Sequence, residues 1–363
     1  MNQLILETIQ SISAPDAKAM EAAKARQASL AKPPRSLGQL EEISIRIAGV
    51  TGKIFNRADK RRVIVFSSDN GIVEEGVASA PQSVTLAQTI NIARGLTGVG
   101  VIARHYHAET DVIDMGVNAD FSHPGVRNEK IAYGTKNFAK EPAMTREQAE
   151  RALCIGIEAA KRAKRDGMEI IGIGEMGIGN TSTSSAVLST LLNLPAEETV
   201  SRGGGVNDTG FIRKKEVIDH AIALHRPDPA DPIDVLTKVG GFDLCGMTGA
   251  FLGAAAEHLP VVVDGFISAV AALCAARLNP LCTDYMIPSH ASMERGYGLA
   301  MRALGLDPIL MLGMRLGEGS GCPIAFEIVS TALDVIENMA TFEEAAIDDG
   351  YLAEIRSNEK FQG

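Results

Sequence analysis

The sequence predicts an α/β fold, a doubly wound parallel sheet accompanied by a small helical domain drawn from both chain ends. Three observations carry that expectation. Short apolar runs ending in Gly, Asp or Ser recur between residues 63 and 314, and longer helical segments separate them. The runs are continuously apolar rather than alternating, which marks strands buried on both faces of a helix-covered parallel sheet. Helical spacing without such runs fills residues 1–50 and returns from about Ile324.

Taken in order, residues 1–12, 15–30 and 37–50 carry apolar side chains three and four apart, and KPPRS (32–36) separates the last two. The strand candidates are VIVFSS (63–68), DVIDMGV (111–117), EIIGIG (169–174), LPVVVDG (259–265), DYMIPS (284–289) and PILMLGM (308–314). Residues 145–165 and 292–304 read as crossover helices. The expected domains are therefore 1–60, N-terminal helices of a small domain; 61–325, a large α/β domain; and 326–363, C-terminal helices completing the small one. In such a sheet ligands sit beyond the carboxyl ends of the strands, so the residues after each run matter most.

Composition narrows the function. With 45% hydrophobic and 22% charged residues the chain can build a core and is not disordered. A formal net charge of −10 and the absence of Trp argue against a nucleic-acid partner, which needs a basic surface and stacking platforms. An anionic small molecule is still admissible, because backbone N–H groups can bind phosphate on an acidic protein. Cys154, Cys245, Cys274, Cys282 and Cys322 are odd in number and lack CxxC spacing, as expected of free thiols in a reducing compartment. The opening MNQLILETIQ lacks a basic segment followed by an apolar one, and the apolar stretch 246–278 is broken by Glu257, His258 and Asp264. A soluble cytoplasmic protein without a membrane partner is expected.

Two glycine-rich loops each join a strand to a helix. In GIGEMGIGNTSTSSAV (172–187) the glycines permit close approach to a ligand. Asn180, Thr181 or Ser182 can cap the next helix, whose free N–H groups and positive end favour an anion. Gly172, Gly174 and Gly177 also match dinucleotide-binding spacing, but Glu175 would repel a pyrophosphate and the segment lies mid-chain. A tight turn with no ligand reads the same residues. In MRLGEGSG (314–321), Glu318 stands between Gly317 and Gly319, unshielded and on a backbone free to bend, with Ser320 as a candidate N-cap. A carboxylate so placed suits a general base; a solvated loop glutamate is the plainer reading.

The remaining constellations divide between structural and functional readings. In SSDNGIVEEGVASAPQSVTLAQ (67–88), Asp69 and Asn70 end the first strand, and residues 76–82 form a loop before the helix carrying Gln88. Turn chemistry explains Asp-Asn-Gly as well as ligand contact does. GGFDLCGMTGAFLGAAA (240–256) is a small-residue helix suited to close packing, with Asp243 as a cap. His105 and His107 have no recognisable third ligand and HExxH is absent, so no metal site is expected. His290 reads as a satisfied, partly buried histidine, although it could face the cleft. A serine nucleophile elbow with a plausible triad is not recognisable.

Several longer motifs in fixed order are more specific. Through KPPRSLG (32–38), GVASAPQSVT (76–85), GEMGIGNTS (174–182), KVGGFDLCGMTGAFLGAA (238–255), VVVDGF (261–266), PSHAS (288–292) and MRLGEGSG (314–321), the chain resembles the nicotinate-nucleotide–dimethylbenzimidazole phosphoribosyltransferase family over nearly its whole length. The resemblance implies a Rossmann-like parallel sheet, a small helical domain from both termini, and a homodimer. It implies Glu318 as catalytic base, with Glu175, Gly177, Asn180 and Thr181 beside the nucleotide and Gly203, Lys214 and Ser292 near the phosphoribosyl group. Gln88 and Leu316 would line the aromatic base pocket, and Met176 replaces another apolar residue there, with consequences for base preference. Two positions depart from the family pattern. Asn70 stands where His is common, which removes any histidine role, and Ala80 stands where a polar residue is frequent, which bears on a base contact.

The implied partners are nicotinate mononucleotide and a benzimidazole-type base such as 5,6-dimethylbenzimidazole, with no metal and no cofactor. The products would be α-ribazole 5′-phosphate and nicotinate, with inversion at C1′. Bond chemistry fits one carboxylate base: nicotinate leaves from a cationic pyridinium and needs no acid, while the incoming ring must lose its N–H proton as its other nitrogen attacks C1′. The phosphate would rest on backbone N–H groups near Gly177 or Gly203, assisted by Lys214. A nicotinamide-dependent dehydrogenase would need an adenosine-binding partner loop and a hydride-transfer histidine, neither recognisable. A small-ligand sensor would leave Glu318 without a task. The small-residue helices 246–256 and 266–276 further suggest an apolar face left over for a second copy.

Overall fold

The computed structural model describes residues 1–203 and 205–353. The chain begins with α1 (Gln3–Ser11), α2 (Ala17–Ser29) and α3 (Gln39–Thr51), then β1 (Arg61–Ser68), α4 (Ser83–Ala93), α5 (Gly98–His105), β2 (Glu109–Gly116) and β3 (Val126–Asn128). It continues through α6 (Arg146–Arg165), β4 (Ile170–Met176), α7 (Asn180–Leu192), α8 (Ala196–Thr199), α9 (Asp208–His225), α10 (Pro232–Val239) and α11 (Phe242–Ala256). The last elements are β5 (Val261–Val263), α12 (Phe266–Leu278), β6 (Met286–Pro288), α13 (Arg295–Leu304) and α14 (Cys322–Asn338).

All six strands are parallel, in the order β3-β2-β1-β4-β5-β6. The chain winds outward from β1 to one side and then from β4 to the other, so strand order reverses between β1 and β4. A crevice opens at the carboxyl ends there, the usual ligand position in such sheets. β4 is buried at every residue, as its uninterrupted IIGIGEM demands, and β1 and β2 become wholly buried towards the same carboxyl edge. Helices α6 and α11 pack backbone to backbone: a Cβ on Gly156 would collide with the Gly246 carbonyl oxygen, and one on Gly249 with that of Leu153. The small-residue composition of α11 has this close approach as its cause.

Two expectations are corrected, and one strand has no counterpart among those expected. Residues 308–314 form no strand beyond a single bridge from Leu310 to His290, and Met311 and Leu312 are 81% and 54% exposed. Gly313, in a left-handed conformation, breaks the extended run, and Ile309 and Leu310 bond to the Ser289 carbonyl just past the end of β6. Residues 246–255 and 266–275 are buried within the single chain, so α11 and α12 leave no apolar face over. Finally, β3 adjoins β2 at the sheet edge, where its half-exposed and exposed residues carry no apolar run.

The chain divides into two compact units, Met1–Ser13 with Lys60–Ala325, and Ala14–Asp59 with the residues from Phe326 onward. Helix α1, assigned from the sequence to a small domain of residues 1–60, instead belongs to the larger unit and packs on α6 and α11. In the smaller unit Ala19, Ala23, Ile45, Ala48 and Ile336 form the core. There Lys32 of KPPRSLG makes a buried ion pair with Glu41 at 2.7 Å, and the same carboxylate accepts from the Leu37 amide. Arg26 bonds the carbonyls of Ile336, Glu337 and Met339, satisfying groups a helix end leaves free. Residues 354–363, expected to finish the C-terminal helices, lie outside the described residues. Among the described residues no helix is long and apolar enough to cross a membrane.

Candidate active site

A cavity of about 250 Å³ opens at the carboxyl edge of the sheet, walled by residues 77–80 after β1, 174–181 around the end of β4, 264–268 after β5, and segments near 290–294 and 315–317. The two glycine-rich loops meet here. A Cβ on Gly174 would stand 2.5 Å from the Glu318 carbonyl oxygen and the Gly319 nitrogen, so only glycine lets β4 touch the second loop. The Glu318 amide then donates to Glu175 Oε1 at 3.3 Å.

Buried carboxyl groups gather along one side. Asn180 donates its side-chain amide to Glu175 Oε2 and, at 3.3 Å, to Asp243 Oδ2. Asp264 accepts the amides of Gly319 and Gly321. Burial pushes the Glu175 carboxyl up to about 8, with the charge of Asp243 adding to it. Burial likewise raises Asp243 and Asp264 to about 7, opposed by backbone N–H groups that favour their ionised forms. Such acids titrate as a group, and the cluster retains protons near neutral pH. His290, buried beside Asp264 and within 3.0 Å of Ser289 Oγ, is pulled down by burial and lines the same cavity.

The other side carries a cation. Lys214 on α9 is 1% exposed, donates to Thr181 Oγ1 at 2.8 Å, and is pulled down to about 8 by burial. Thr181 and Gly203 line the cavity in front of it.

Of the residues singled out from the sequence, Glu175, Met176, Gly177, Asn180, Thr181, Gly203, Ser292 and Leu316 line the cavity, and Lys214 stands behind Thr181. Gln88, half-buried on α4, does not line it and accepts from Asn91. Glu318 itself does not line the cavity, next to Gly317, which does, and it is not the unshielded residue its flanking glycines suggest. It is 5% exposed, because its left-handed turn folds the side chain inward and the carboxylate accepts the Val99 amide at 3.1 Å in the first turn of α5. None of the expected helix caps forms. Gly179, which has no side chain to offer, takes the N-cap position of α7, so Asn180, Thr181 and Ser182 lie inside the helix. The Ser320 hydroxyl has no hydrogen-bond partner among the described residues. Asp243 does not cap α11 either: Gly241 takes the N-cap position, and Asp243, inside the first turn, accepts from the Leu244 amide and from Asn180. Asp264 receives no role from the sequence, although its place at the end of the apolar run VVVDG is a usable signal.

A family model described as phosphoribosyltransferase matches residues 12–347. The nicotinate-nucleotide–dimethylbenzimidazole phosphoribosyltransferase of Clostridium perfringens (strain ATCC 13124) is 52% identical, over 98% of this chain and 99% of its own. That of Clostridium tetani is 45% identical over 98% of each. The crystal structure of the Thermus thermophilus protein of the same name aligns with a TM-score of 0.87 at 37% identity, covering 92% of this chain and 100% of the other.

Proposed function

Since the chain belongs to the nicotinate-nucleotide–dimethylbenzimidazole phosphoribosyltransferase family, we propose that it moves ribose 5-phosphate from nicotinate mononucleotide to 5,6-dimethylbenzimidazole or a related base. Nicotinate and α-ribazole 5′-phosphate are the products, with inversion at C1′. The observation that supports this most directly is the polarity of the cavity: a buried lysine behind Thr181 and Gly203 on one side, carboxylates on the other.

The 5′-phosphate rests on the Gly177 and Gly203 loops, with Lys214 supplying positive charge through the Thr181 side. Its N–H cradle belongs to the start of α7, where helix-end amides favour an anion. The incoming base lies against Met176 and Leu316, with Ala80 towards its outer edge and Ser292 towards the ribose. Glu318 accepts the ring proton as the second ring nitrogen attacks C1′. Its bond to the Val99 amide fixes the side chain through Oε2 and leaves Oε1 for the base. The pyridinium bond breaks, its electron pair returns to the nicotinate nitrogen, and attack opposite the leaving group inverts C1′. Holding both rings on either side of one ribose supplies much of the rate.

The test is release of nicotinate from nicotinate mononucleotide and dimethylbenzimidazole. Wild-type protein should release it only with both substrates, and Glu318→Gln should turn over about a hundred- to ten-thousand-fold more slowly while binding the nucleotide normally. No release by the wild type would overturn the activity; near-normal turnover by a folded Glu318→Gln protein would overturn the role of Glu318 alone. We also place the protein in the cytoplasm as a homodimer. Its cysteines are free thiols, and exposed apolar side chains gather on the segment around Met311 and Leu312.

A further inference from the structure

The loop bearing Glu318 is unusual in its backbone. Gly317, Glu318 and Gly319 all have left-handed φ values, +85°, +63° and +82°. For a side chain-bearing residue such as Glu318 this conformation is disfavoured and persists only where surrounding contacts impose it. Those contacts can be traced amide by amide. The Glu318 N–H goes to Glu175 Oε1, and the Ser320 N–H goes to the Gly317 carbonyl. The Gly319 N–H goes to Asp264 Oδ2 at 3.2 Å, and the Gly321 N–H to Asp264 Oδ1 at 2.7 Å. The alternate amides of Gly319 and Gly321 thus converge on one carboxyl group of the chain itself, while the Ser320 amide between them closes the turn on Gly317.

Asp264 is rigidly presented. It is 2% exposed and follows the buried strand β5 directly. Its own N–H donates to Ser268 Oγ and its carbonyl accepts Ser289 Oγ, each at 3.2 Å. The far side of the loop has no slack, since a Cβ on Gly321 would sit 2.9 Å from Asp264 Oδ1. We infer that Asp264 is a positioning residue for the transfer: by accepting the Gly319 and Gly321 amides with its two oxygens, it imposes the left-handed turn that aims the Glu318 carboxylate. The inference rests on the reading that Glu318 takes the proton.

Asp264→Asn keeps one acceptor oxygen and turns an NH₂ towards the second loop amide, donor against donor. Its kcat should fall by about tenfold or more. The decisive readout is a double-mutant cycle with Glu318→Gln. A residue acting through Glu318 adds nothing once Glu318 cannot accept a proton, so the double variant should be no slower than Glu318→Gln alone. Additive losses, or an unchanged kcat in Asp264→Asn, would overturn the inference while leaving the base assignment standing. Near-normal turnover of Glu318→Gln would overturn both. Should Asp264→Asn fail to fold, hydrogen exchange on the wild-type protein decides: protected Gly319 and Gly321 amides support the clamp, and exchange at unprotected rates refutes it.

Discussion

Lys214 is the residue whose environment makes the sharpest solution prediction. Burial lowers it from the ordinary lysine value to about 8, so it is an ammonium below that pH and neutral above it. A phosphate dianion favours the ammonium form. Affinity for nicotinate mononucleotide should therefore hold between about pH 6.5 and 8, where the phosphate is mostly dianionic, and weaken about tenfold per unit above it until the pKa of the complex is reached. Calorimetric titrations across that range should show the slope in the wild type and not in Lys214→Met. Affinity that stays flat to about pH 9.5 in the wild type would remove Lys214 from phosphate binding. At this scale the sequence discloses residue types and their loops but not their partners. That Glu318 bonds the Val99 amide, or that Asn180 joins Glu175 to Asp243, depends on contacts between segments far apart in the chain.

Elements are legible where one physical cause dominates. Continuous apolar runs mark β1, β2, β4, β5 and β6, because both faces of a central parallel strand must be buried. Thr145 and Gln148 form a reciprocal capping box at the start of α6, close to the expected start at residue 145. The segment 308–314 has the composition of a strand but meets the β6 edge by a single bridge before Gly313 turns it away, and β3 has an edge without the composition. Hydrophobic pattern alone cannot separate those cases. The contact between α6 and α11 is the element most sensitive to one added carbon. Gly156→Ala drives a methyl into the Gly246 carbonyl oxygen in a region where both helices are buried. Overpacking of this kind costs about 1–3 kcal/mol, and a backbone obstacle that cannot rotate away puts this site at the upper end. Denaturant unfolding measures it; a loss under about 0.5 kcal/mol, the level of an ordinary surface change, would mean that the helices separate at little cost.

For the whole molecule, α11 and α12 suggest a second copy by their composition, yet both are satisfied within one chain. The apolar surface lies elsewhere. Met293, Met311, Leu312 and Leu316 are each more than half exposed, and they belong to segments tied together by Ala291 to Leu310 and Met293 to Met314 backbone bonds. Full burial of a side chain such as Leu or Met contributes about 1.5–3 kcal/mol, so covering several at once favours association. A twofold arrangement lets the same patch cover its own copy. Leu316 also lines the cavity, so such an interface would run beside the site. Sedimentation at micromolar concentration should find a species of twice the 38.4 kDa chain mass. Replacing Met311 and Leu312 together by Glu, outside the cavity lining, should shift that species to the monomer. A wild-type monomer would rule out the homodimer, whereas a dimer indifferent to the double substitution would move its interface to another face.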